Sequence, residues 1–315
     1  MESLYASIPG LTQIKTVSVA NNHTAQLANA TIQCIGSTLE VGDPIEIDIG
    51  YTDSHGIIFT GYVKMIEEEA ISHGLTVTAS DVLIKAADYF IVANSPSTTL
   101  KVQNISPEDI IAQLLAIVDI TDFEYDSSSY VWGVSGPIEI SLISIYDYCK
   151  MLTDMIAWGF WSDIDGTVNF KDRRPYPMGG DPVVGTIANT DVISIKEWKN
   201  DRNIRNKVVV WGSTGIYAEA HADSPYLPAD FYKTAVVSAP GIIDTQSMAQ
   251  SVADFNLTLY NRLTQGITCT VIGSYLYNAR KVIHLNYTAE DLYIYSAEHN
   301  WSSSGYLVNM ELRKE

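Results

Sequence analysis

The sequence predicts an α+β protein that is mainly β, with two β-barrel or β-sandwich modules flanking an α/β middle domain. Short segments with a two-residue apolar period fill the first and last thirds of the chain, as is typical of barrels and sandwiches. Apolar residues at helical spacing are concentrated between them. The predicted parts are 1–92 for the first β module, 93–190 for the middle domain after a turn at 94–96, and 191–315 for the second β module, with a loop and helix insertion at 213–264.

The first module is predicted from three segments of alternating residues. In 45–49, three isoleucines alternate with two acids, so one face of the strand is wet. Segment 57–66 is a longer strand with Gly61 at its middle, where a bulge or sharp bend is expected. In 75–79, apolar residues alternate with threonines. Strands this short and regularly spaced indicate a small sandwich or barrel.

The middle domain is predicted from two helices and a hairpin. The first helix starts at Ser106, an N-cap, followed by Pro107 and two acids in the first turn. The second helix begins near Ser144, and Asp165-Gly166 marks the hairpin. The apolar stripes expected to be buried are Ile110, Ile111, Leu114, Leu115 and Val118 on the first helix, and Ile145, Tyr148, Leu152, Met155 and Ile156 on the second.

The last third returns to strands. They are predicted at 208–211, 267–272, 282–285, 292–295 and 306–312. A loop rich in Pro, Ala and Ser is expected at 213–243, followed by a helix near 246–264. Cys34, Cys149 and Cys269 are far apart and odd in number, so we expect buried thiols instead of disulfides or a zinc site.

Charge argues against one class of function. The formal net charge is −18, and phosphate contacts need clustered Lys and Arg, so direct nucleic-acid binding is not expected. Residues 1–100 and 101–190 each carry a net charge of −8, whereas 191–315 carries −2; such an acidic excess favours solubility. The N-terminus has no signal-peptide pattern, and no apolar run is long enough to span a membrane.

The motifs that suggest chemistry are weak. Segment 163–166, Asp-Ile-Asp-Gly, resembles the opening of a calcium loop, but the later ligands are missing and a hairpin is favoured. Glu298 and His299, with Asp291, suggest an acid/base pair, yet neighbours in a strand point to opposite faces. A carboxylate pair for glycoside hydrolysis leaves no fixed spacing and stays open. We predict no catalytic, cofactor-binding or metal-binding residues and no cofactor.

The order of the segments resembles the tail hub proteins of contractile bacteriophages, of the late-control D type, and the hub portion of VgrG proteins. The stretches that carry the resemblance are 42–47 with 58–63, then 75–81, 144–166, 205–212, and 296–302 with 305–306. They look like the family's early strand pair and the stretch after it, its helix with an Asp-Gly hairpin, the strand that reopens the β part, and its closing strands. The likeness spans nearly the whole chain.

The resemblance implies a structural protein, not an enzyme, whose two tube-type β modules per subunit form a pseudo-six-fold ring in a homotrimer. Such a hub would join the tail tube protein to the central spike protein and enclose a channel through which DNA passes without specific binding. The middle domain would contact other baseplate proteins, and acidic residues could line the channel. The expected location is the tail baseplate of the virion, assembled in the host bacterial cytoplasm, with no membrane insertion of its own.

Two other functions stay open from the sequence. One is an acidic carbohydrate-active enzyme or sugar-binding β-protein, in which Trp158, Trp161, Trp211 and Trp301 could form a stacking platform. The other is a tail-tip protein of a non-contractile phage, which shares the fold type but not the sheath machinery.

Overall fold

The computed structural model describes residues 3–23, 27–70, 73–92, 100–156, 158–172, 181–240, 242–261 and 264–314. The turn predicted at 94–96 lies outside the described residues. Strands dominate the described chain, which also contains four α-helices. The predicted fold class, α+β and mainly β, is confirmed.

Strands and helices are numbered in chain order. The first strands are β1 (Leu4–Ser7), β2 (Leu11–Thr12), β3 (Thr16–Asn22), β4 (Asn29–Cys34), β5 (Gly36–Ser37), β6 (Pro44–Tyr51), β7 (Ser54–Glu68), β8 (Leu75–Asp81) and β9 (Phe90–Ile91). The next are β10 (Leu100–Val102), β11 (Phe123–Tyr125), β12 (Ile138–Ile140), β13 (Ile143–Ser144), β14 (Gly159–Ser162), β15 (Val168–Lys171) and β16 (Val183–Ile187). The last are β17 (Val192–Asn200), β18 (Lys207–Trp211), β19 (Tyr217–His221), β20 (Thr234–Ser238), β21 (Thr264–Ile272), β22 (Val282–Leu285), β23 (Glu290–Ser302) and β24 (Gly305–Arg313). The helices are α1 (Ile84–Asp88), α2 (Pro107–Ile117), α3 (Ile145–Ile156) and α4 (Gln246–Tyr260).

Strands from both ends of the chain form one sheet, here called the large sheet. Its order is β1-β6-β7-β8-β4-β3-β23-β24-β21-β17, and β22 and β16 join it beside β23. The first and last thirds meet at a seam, where β3 pairs antiparallel with β23 from Thr16 opposite Ser302 to Asn22 opposite Ser296. Because the ladder is continuous across the seam, the two β-rich thirds share one hydrogen-bonded sheet.

Alternating residues place one face of the large sheet in a core. The isoleucines at 45, 47 and 49 in β6 are buried, whereas Glu46 between them is exposed. Strand β24 repeats the pattern with buried side chains at 306, 308, 310 and 312. This first core draws its side chains from 8–79 and from 187–312, so it forms only when both ends of the chain come together.

A bulge or sharp bend is predicted at Gly61, and the structure shows a close backbone approach at that residue. A Cβ atom at Gly61 would stand 2.1 Å from the carbonyl oxygen of Ser80 on β8, so only glycine allows this approach. The register between β7 and β8 shifts just beyond, between Val63 and Met65. The close approach and the shift let one long strand pair with β6 in its first part and with β8 in its second.

A second core joins the middle of the chain to residues 208–253. The stripes predicted for α2 and α3 lie in it, with Val118 at its margin. Ser106 caps α2 as predicted, its hydroxyl accepting the N–H of Asp109 at 3.2 Å. Helix α4 is tied to α3 because the buried side chain of Asn256 donates to the carbonyl of Met155 at 3.2 Å. The inserted helix therefore packs against the middle of the chain.

Segment 205–212 does not reopen the β part, contrary to the prediction. Its strand, β18, pairs antiparallel with β19 and parallel with β20 in a separate three-stranded sheet, here called the insertion sheet. The valines at 208 and 210 are buried in the second core because α4 covers this face. The predicted loop at 213–243 is wrong where it contains β19 and β20. Strand β17 returns the chain to the large sheet, and its mostly exposed residues lack the alternation used to find strands.

Candidate functional site

The Asp-Gly turn at 163–166 is closed by hydrogen bonds that involve its own backbone groups. The N–H of Asp163 donates to Thr167 at 2.8 Å, and the N–H of Gly166 donates to the carbonyl of Asp163 at 3.0 Å. The carboxylate of Asp165 accepts the N–H of Thr167 at 3.0 Å, and β14 and β15 pair on either side, so the predicted hairpin is confirmed. Across the described chain, no cluster of three or more His, Cys, Asp or Glu side chains is arranged to hold a metal ion.

Glu298 and His299 lie on opposite faces of β23, as strand geometry predicts. Glu298 is exposed and accepts from the side chain of Asn309 at 3.1 Å. His299 is buried with its Nδ1 atom 2.6 Å from the hydroxyl oxygen of Tyr306, and burial lowers its pKa to about 4. Asp291 instead contacts His284 at 2.6 Å. These residues do not form an acid/base pair.

The four tryptophans that could form a stacking platform are dispersed. Trp301 belongs to the core of the large sheet, Trp158 packs against the second core, and Trp161 is buried under the guanidinium of Arg280. Only Trp211 among these four is substantially exposed, at 52%. The three cysteines are free and buried, as predicted.

A buried charged cluster lies where the first and last thirds of the chain meet the hairpin formed by β14 and β15. Asp81, at the end of β8, is 4% exposed. Its carboxylate accepts the N–H of Ala28 at 2.7 Å and the N–H of Leu83 at 3.0 Å. Burial raises the pKa of Asp81 to about 6, although these two hydrogen bonds and Arg280 oppose the shift. Asp81, Arg280, Trp161 and Asp163 are called the junction cluster below.

Arg280 connects the three parts of the junction. Its guanidinium donates to the carbonyl of Asn22 in the first third and lies 5.0 Å from the ring centre of Trp161 in the hairpin. Its backbone N–H donates to Ile294 in the last third at 2.8 Å. Its φ of 69° is in the left-handed region, which non-glycine residues rarely occupy unless their surroundings fix them. Together these contacts hold the first and last thirds of the chain against the hairpin.

The outward face of the large sheet around the seam is polar. Its residues, here called the seam face, are Thr16, Ser18 and Ala20 on β3; Asn29, Thr31 and Gln33 on β4; Thr76, Thr78 and Ser80 on β8; Glu298, Asn300 and Ser302 on β23; and Leu307, Asn309 and Glu311 on β24. No Lys or Arg stands at any of these positions. Ser80 donates to Asn29 at 2.8 Å, and Thr270 donates to Asn309 at 2.8 Å, so neighbouring strands are also linked through side chains.

Among the described residues, the large sheet ends at β1, at β17 and, through β22, at β16. Strand β17 is long and mostly exposed, with Ile193 at 58% exposure and lysines at 196 and 199. Trp198 lies 4.9 Å from the guanidinium of Arg313 and donates to the hydroxyl of Thr268 at 3.2 Å. An exposed edge of this length is a template for pairing with another chain.

Comparison with known proteins places the fold. No family model matches the sequence, and no curated protein is similar to it in sequence. A tail protein from Neisseria meningitidis MC58 has a TM-score of 0.71 at 14% identity, covering 99% of this chain and 97% of that one. The 43 kDa tail protein of prophage MuSo2 from Shewanella oneidensis has a TM-score of 0.69 at 14% identity, covering 99% and 98%.

An Escherichia coli component of the type VI secretion system, described as structurally similar to the T4 bacteriophage tail proteins gp27 and gp5, has a TM-score of 0.61 at 10% identity. The match covers 98% of this chain and 76% of that one. The chain therefore has the fold of phage tail proteins and their secretion-system counterparts. The resemblance predicted from the order of the segments is confirmed for the fold.

No motif in the sequence indicates the junction cluster. Asp81 stands at the end of the strand-like stretch 75–81, just beyond the apolar alternation of 75–79. Arg280 follows Asn278 and Ala279 in a turn without a motif. A lone acid at the inner position of a β-strand was the one available signal, because period two places residue 81 on the same face as the buried residues 77 and 79. In the described chain, no helix combines the length and apolarity needed to cross a membrane.

Proposed function

We propose that the chain is a structural hub of a phage tail baseplate, acting without enzymatic chemistry. The observation that carries this proposal is the fold match, which runs nearly end to end over both this chain and a tail protein of similar length. The location that follows is the tail of the virion.

The assembly that we propose is a homotrimer with a pseudo-six-fold ring. The parts of 1–92 and 191–315 that form the large sheet supply its two tube-type modules, and 93–190, apart from β16, lies outside together with the insertion sheet. Open edges at both ends of the large sheet support this, since β1 and β17 of neighbouring copies can pair or pack and so remove the aggregation hazard of each edge. The tail tube protein and the spike protein would contact the two rims of the ring. Other baseplate proteins would contact its outer flank.

The seam face is the surface that we assign to the DNA channel. DNA binds proteins chiefly through Lys and Arg contacts to phosphate. A face of hydroxyl, amide and a few carboxylate groups offers no such contact, so DNA would slide past it. The observation that supports this assignment is that none of the fifteen positions of the seam face is Lys or Arg; Arg313, the next outward residue of β24, borders the face and is paired with Glu311 at 2.5 Å.

Oligomeric state tests the trimer directly. Light scattering on the purified chain should give three times the chain mass of 34.7 kDa, and negative-stain images should show a ring with a central hole. Ile193→Lys on β17 should weaken the trimer by at least about tenfold, because a third lysine replaces an exposed apolar side chain of the paired edge. Val236→Lys, at an exposed position of the insertion sheet, is the matched control and should leave the trimer intact. A monomeric wild-type chain would contradict the proposal.

Infectivity tests the channel. Thr31→Lys together with Thr78→Lys would place positive charge on the seam face and should slow DNA release from assembled particles. Thr214→Lys together with Ala229→Lys adds the same two charges at exposed positions of the insertion and should have no effect. Equal release rates for the two variants would show that the seam face does not line the channel, and would leave the trimer proposal unaffected. The tail tip of a non-contractile phage is the alternative within the same fold, and attachment of a contractile sheath to the assembled tail distinguishes the two.

A further inference from the structure

Strand β20 is an unprotected edge of the insertion sheet. It pairs with β18 on one side, and among the described elements none lies along its other side. Its sequence, Thr-Ala-Val-Val-Ser, contains no charge and no proline, and its pairing with β18 runs without a bulge. Proteins usually protect such edges with lysine, proline, a bulge or a covering element. β20 has none of the first three, and no described element covers it.

The direction of its backbone groups follows from the two ends of the strand. At the start, the N–H of Lys233 donates to the side chain of Asn206 at 2.8 Å, and its carbonyl accepts the N–H of Asn206 at 3.1 Å. At the end, the N–H of Ala239 donates to the carbonyl of Trp211 at 2.9 Å. Both ends therefore face β18, and direction alternates along a strand. The residues whose N–H and C=O point away from β18 are Thr234, Val236 and Ser238.

The side chains around this edge are apolar or locally neutralised. Val236, at its centre, is 64% exposed. On the same outer face Trp211 is 52% exposed, and its ring lies edge-on to Tyr217 with centroids 4.7 Å apart. Lys207 pairs with Glu219 on this face at 3.0 Å, so the central charge of the face is balanced. The edge and the aromatic face form one continuous surface.

We propose that β20 docks an extended segment of a different polypeptide, which adds to the insertion sheet as a fourth strand. An extended polypeptide presents N–H and C=O groups at the two-residue spacing of the outward groups on β20. A glycan or a nucleic acid has no such repeat. A second copy of this chain would bring Thr234, Val236 and Ser238 as the outer side chains of its own β20, so only one of the three would be apolar. Apolar residues at alternate positions of the segment would lie beside Val236 and Trp211.

This docking site does not depend on the trimer or on the channel, because β20 belongs to the insertion sheet and both of those belong to the large sheet. In the free full-length chain, hydrogen exchange read at single-residue resolution should be fast at 234, 236 and 238. It should be slow at 235 and 237, whose N–H groups are bonded to β18. Protection of 236 in the free chain that increases with protein concentration would assign the edge to a second copy and overturn the proposal.

Random peptides displayed on yeast provide the probe for the ligand. We expect selection against the full-length chain to enrich sequences with apolar residues at every second position. Synthetic peptides made from the enriched sequences should slow exchange at 234, 236 and 238. Enriched peptides that protect β19 but not β20, or a selection that enriches no peptide, would overturn the proposal.

Two substitutions at one position separate the backbone from the side chain. Val236→Pro removes an outward N–H without touching the bonds to β18, and should weaken peptide binding at least about tenfold. Val236→Thr keeps the N–H and should weaken binding less than about threefold. If Val236→Pro lowers the melting temperature, Val236→Lys takes its place, since a charged edge also opposes strand addition. Equal binding by wild type and both edge variants would contradict docking at β20, and loss on Trp211→Ala alone would place the ligand on the aromatic face.

Discussion

The large sheet and the insertion sheet differ in how they treat their edges and faces. The large sheet carries lysines at 196 and 199 on its edge strand β17, and hydroxyl and amide side chains cover its seam face. The insertion sheet leaves a charge-free edge at β20 and exposes Trp211 and Val236. Polar seam residues suit a surface that something must pass, whereas an apolar edge suits a surface that something must hold. If both proposals hold, one fold separates passage from attachment on two sheets with separate cores.

The largest effect is expected at the seam, where β3 pairs on both sides. Ser18→Pro removes an N–H from a central strand and places a ring against one of its neighbours, so the large sheet should lose its cooperative unfolding transition. Calorimetry and circular dichroism measure this. Ser18→Thr suits a strand equally well and should shift stability by less than about 0.5 kcal/mol. A Ser18→Pro chain that melts within a few degrees of wild type would show that the seam does not hold the sheet together.

Next in size is a cavity in the second core. Trp132 is fully buried, and Trp132→Ala should cost about 3–5 kcal/mol. Hydrogen exchange should show lost protection in α3 with little change in β3, because α3 and β3 belong to separate cores. Val131→Ala, at a neighbour that is 46% exposed, is the control and should cost less than about 0.5 kcal/mol. Equal loss of protection in both cores would mean that they unfold as one unit.

A smaller effect is expected on the pH dependence of stability, to which the two halves of the large sheet contribute in opposite directions. Asp81 in the first half has its pKa raised to about 6. Between about pH 6 and pH 4 the folded protein therefore holds a proton that the unfolded chain has released. Protonation of Asp81 thus stabilises the fold as the pH falls through this range. His299 in the second half has its pKa lowered to about 4, so the unfolded chain takes up a proton first and this term destabilises the fold as the pH falls from 6.5 towards 4. The two terms oppose each other in wild type.

Removing either group should expose the other. The deficit of Asp81→Asn relative to wild type should grow between pH 6 and pH 4, by up to about 1.4 kcal/mol per pH unit. Over the same range His299→Asn, which keeps an acceptor for the hydroxyl of Tyr306, should gain relative to wild type. Urea midpoints at several pH values measure both differences. Parallel pH profiles for wild type and the two variants would show that neither group titrates in this window.

The smallest effect is expected at a helix cap of the second core. Ser106→Ala removes the acceptor for the N–H of Asp109 and should cost about 1 kcal/mol in urea denaturation. Ser129→Ala, at an exposed position in the same part of the chain, should cost less than about 0.5 kcal/mol. A cost at Ser106 no larger than at Ser129 would mean that water replaces the cap.

Local features were predictable from the sequence, and long-range ones were not. The cap at Ser106, the stripe of α3 and the alternation of β6 depend on neighbours within a few residues, so their patterns sufficed. The pairing of β3 with β23 and the packing of α4 against α3 join distant segments and leave no local pattern. Strand β17 was missed because most of its residues are exposed, so burial does not impose a period.

The sequence explained individual motifs around the candidate site but not the junction cluster. Period two separated Glu298 from His299 correctly, and turn chemistry explained 163–166. The junction of Asp81 with Arg280 depends on three segments that meet in space, and neither residue stands in a motif. The free edge of β20 follows from which strands lie beside it, which residue types alone do not determine.

The seam also determines when the large sheet can form during synthesis of the chain. His23 and Tyr293, which contact each other beside it, are 270 positions apart. At ordinary elongation rates the ribosome needs roughly 15 to 55 s to cover that distance. During this interval β3 has emerged while β23 has not been made, so the nascent chain carries an open strand that neighbouring chains on the same messenger RNA can capture. Completion of the large sheet is thus a late event in synthesis, because it has to wait for β23.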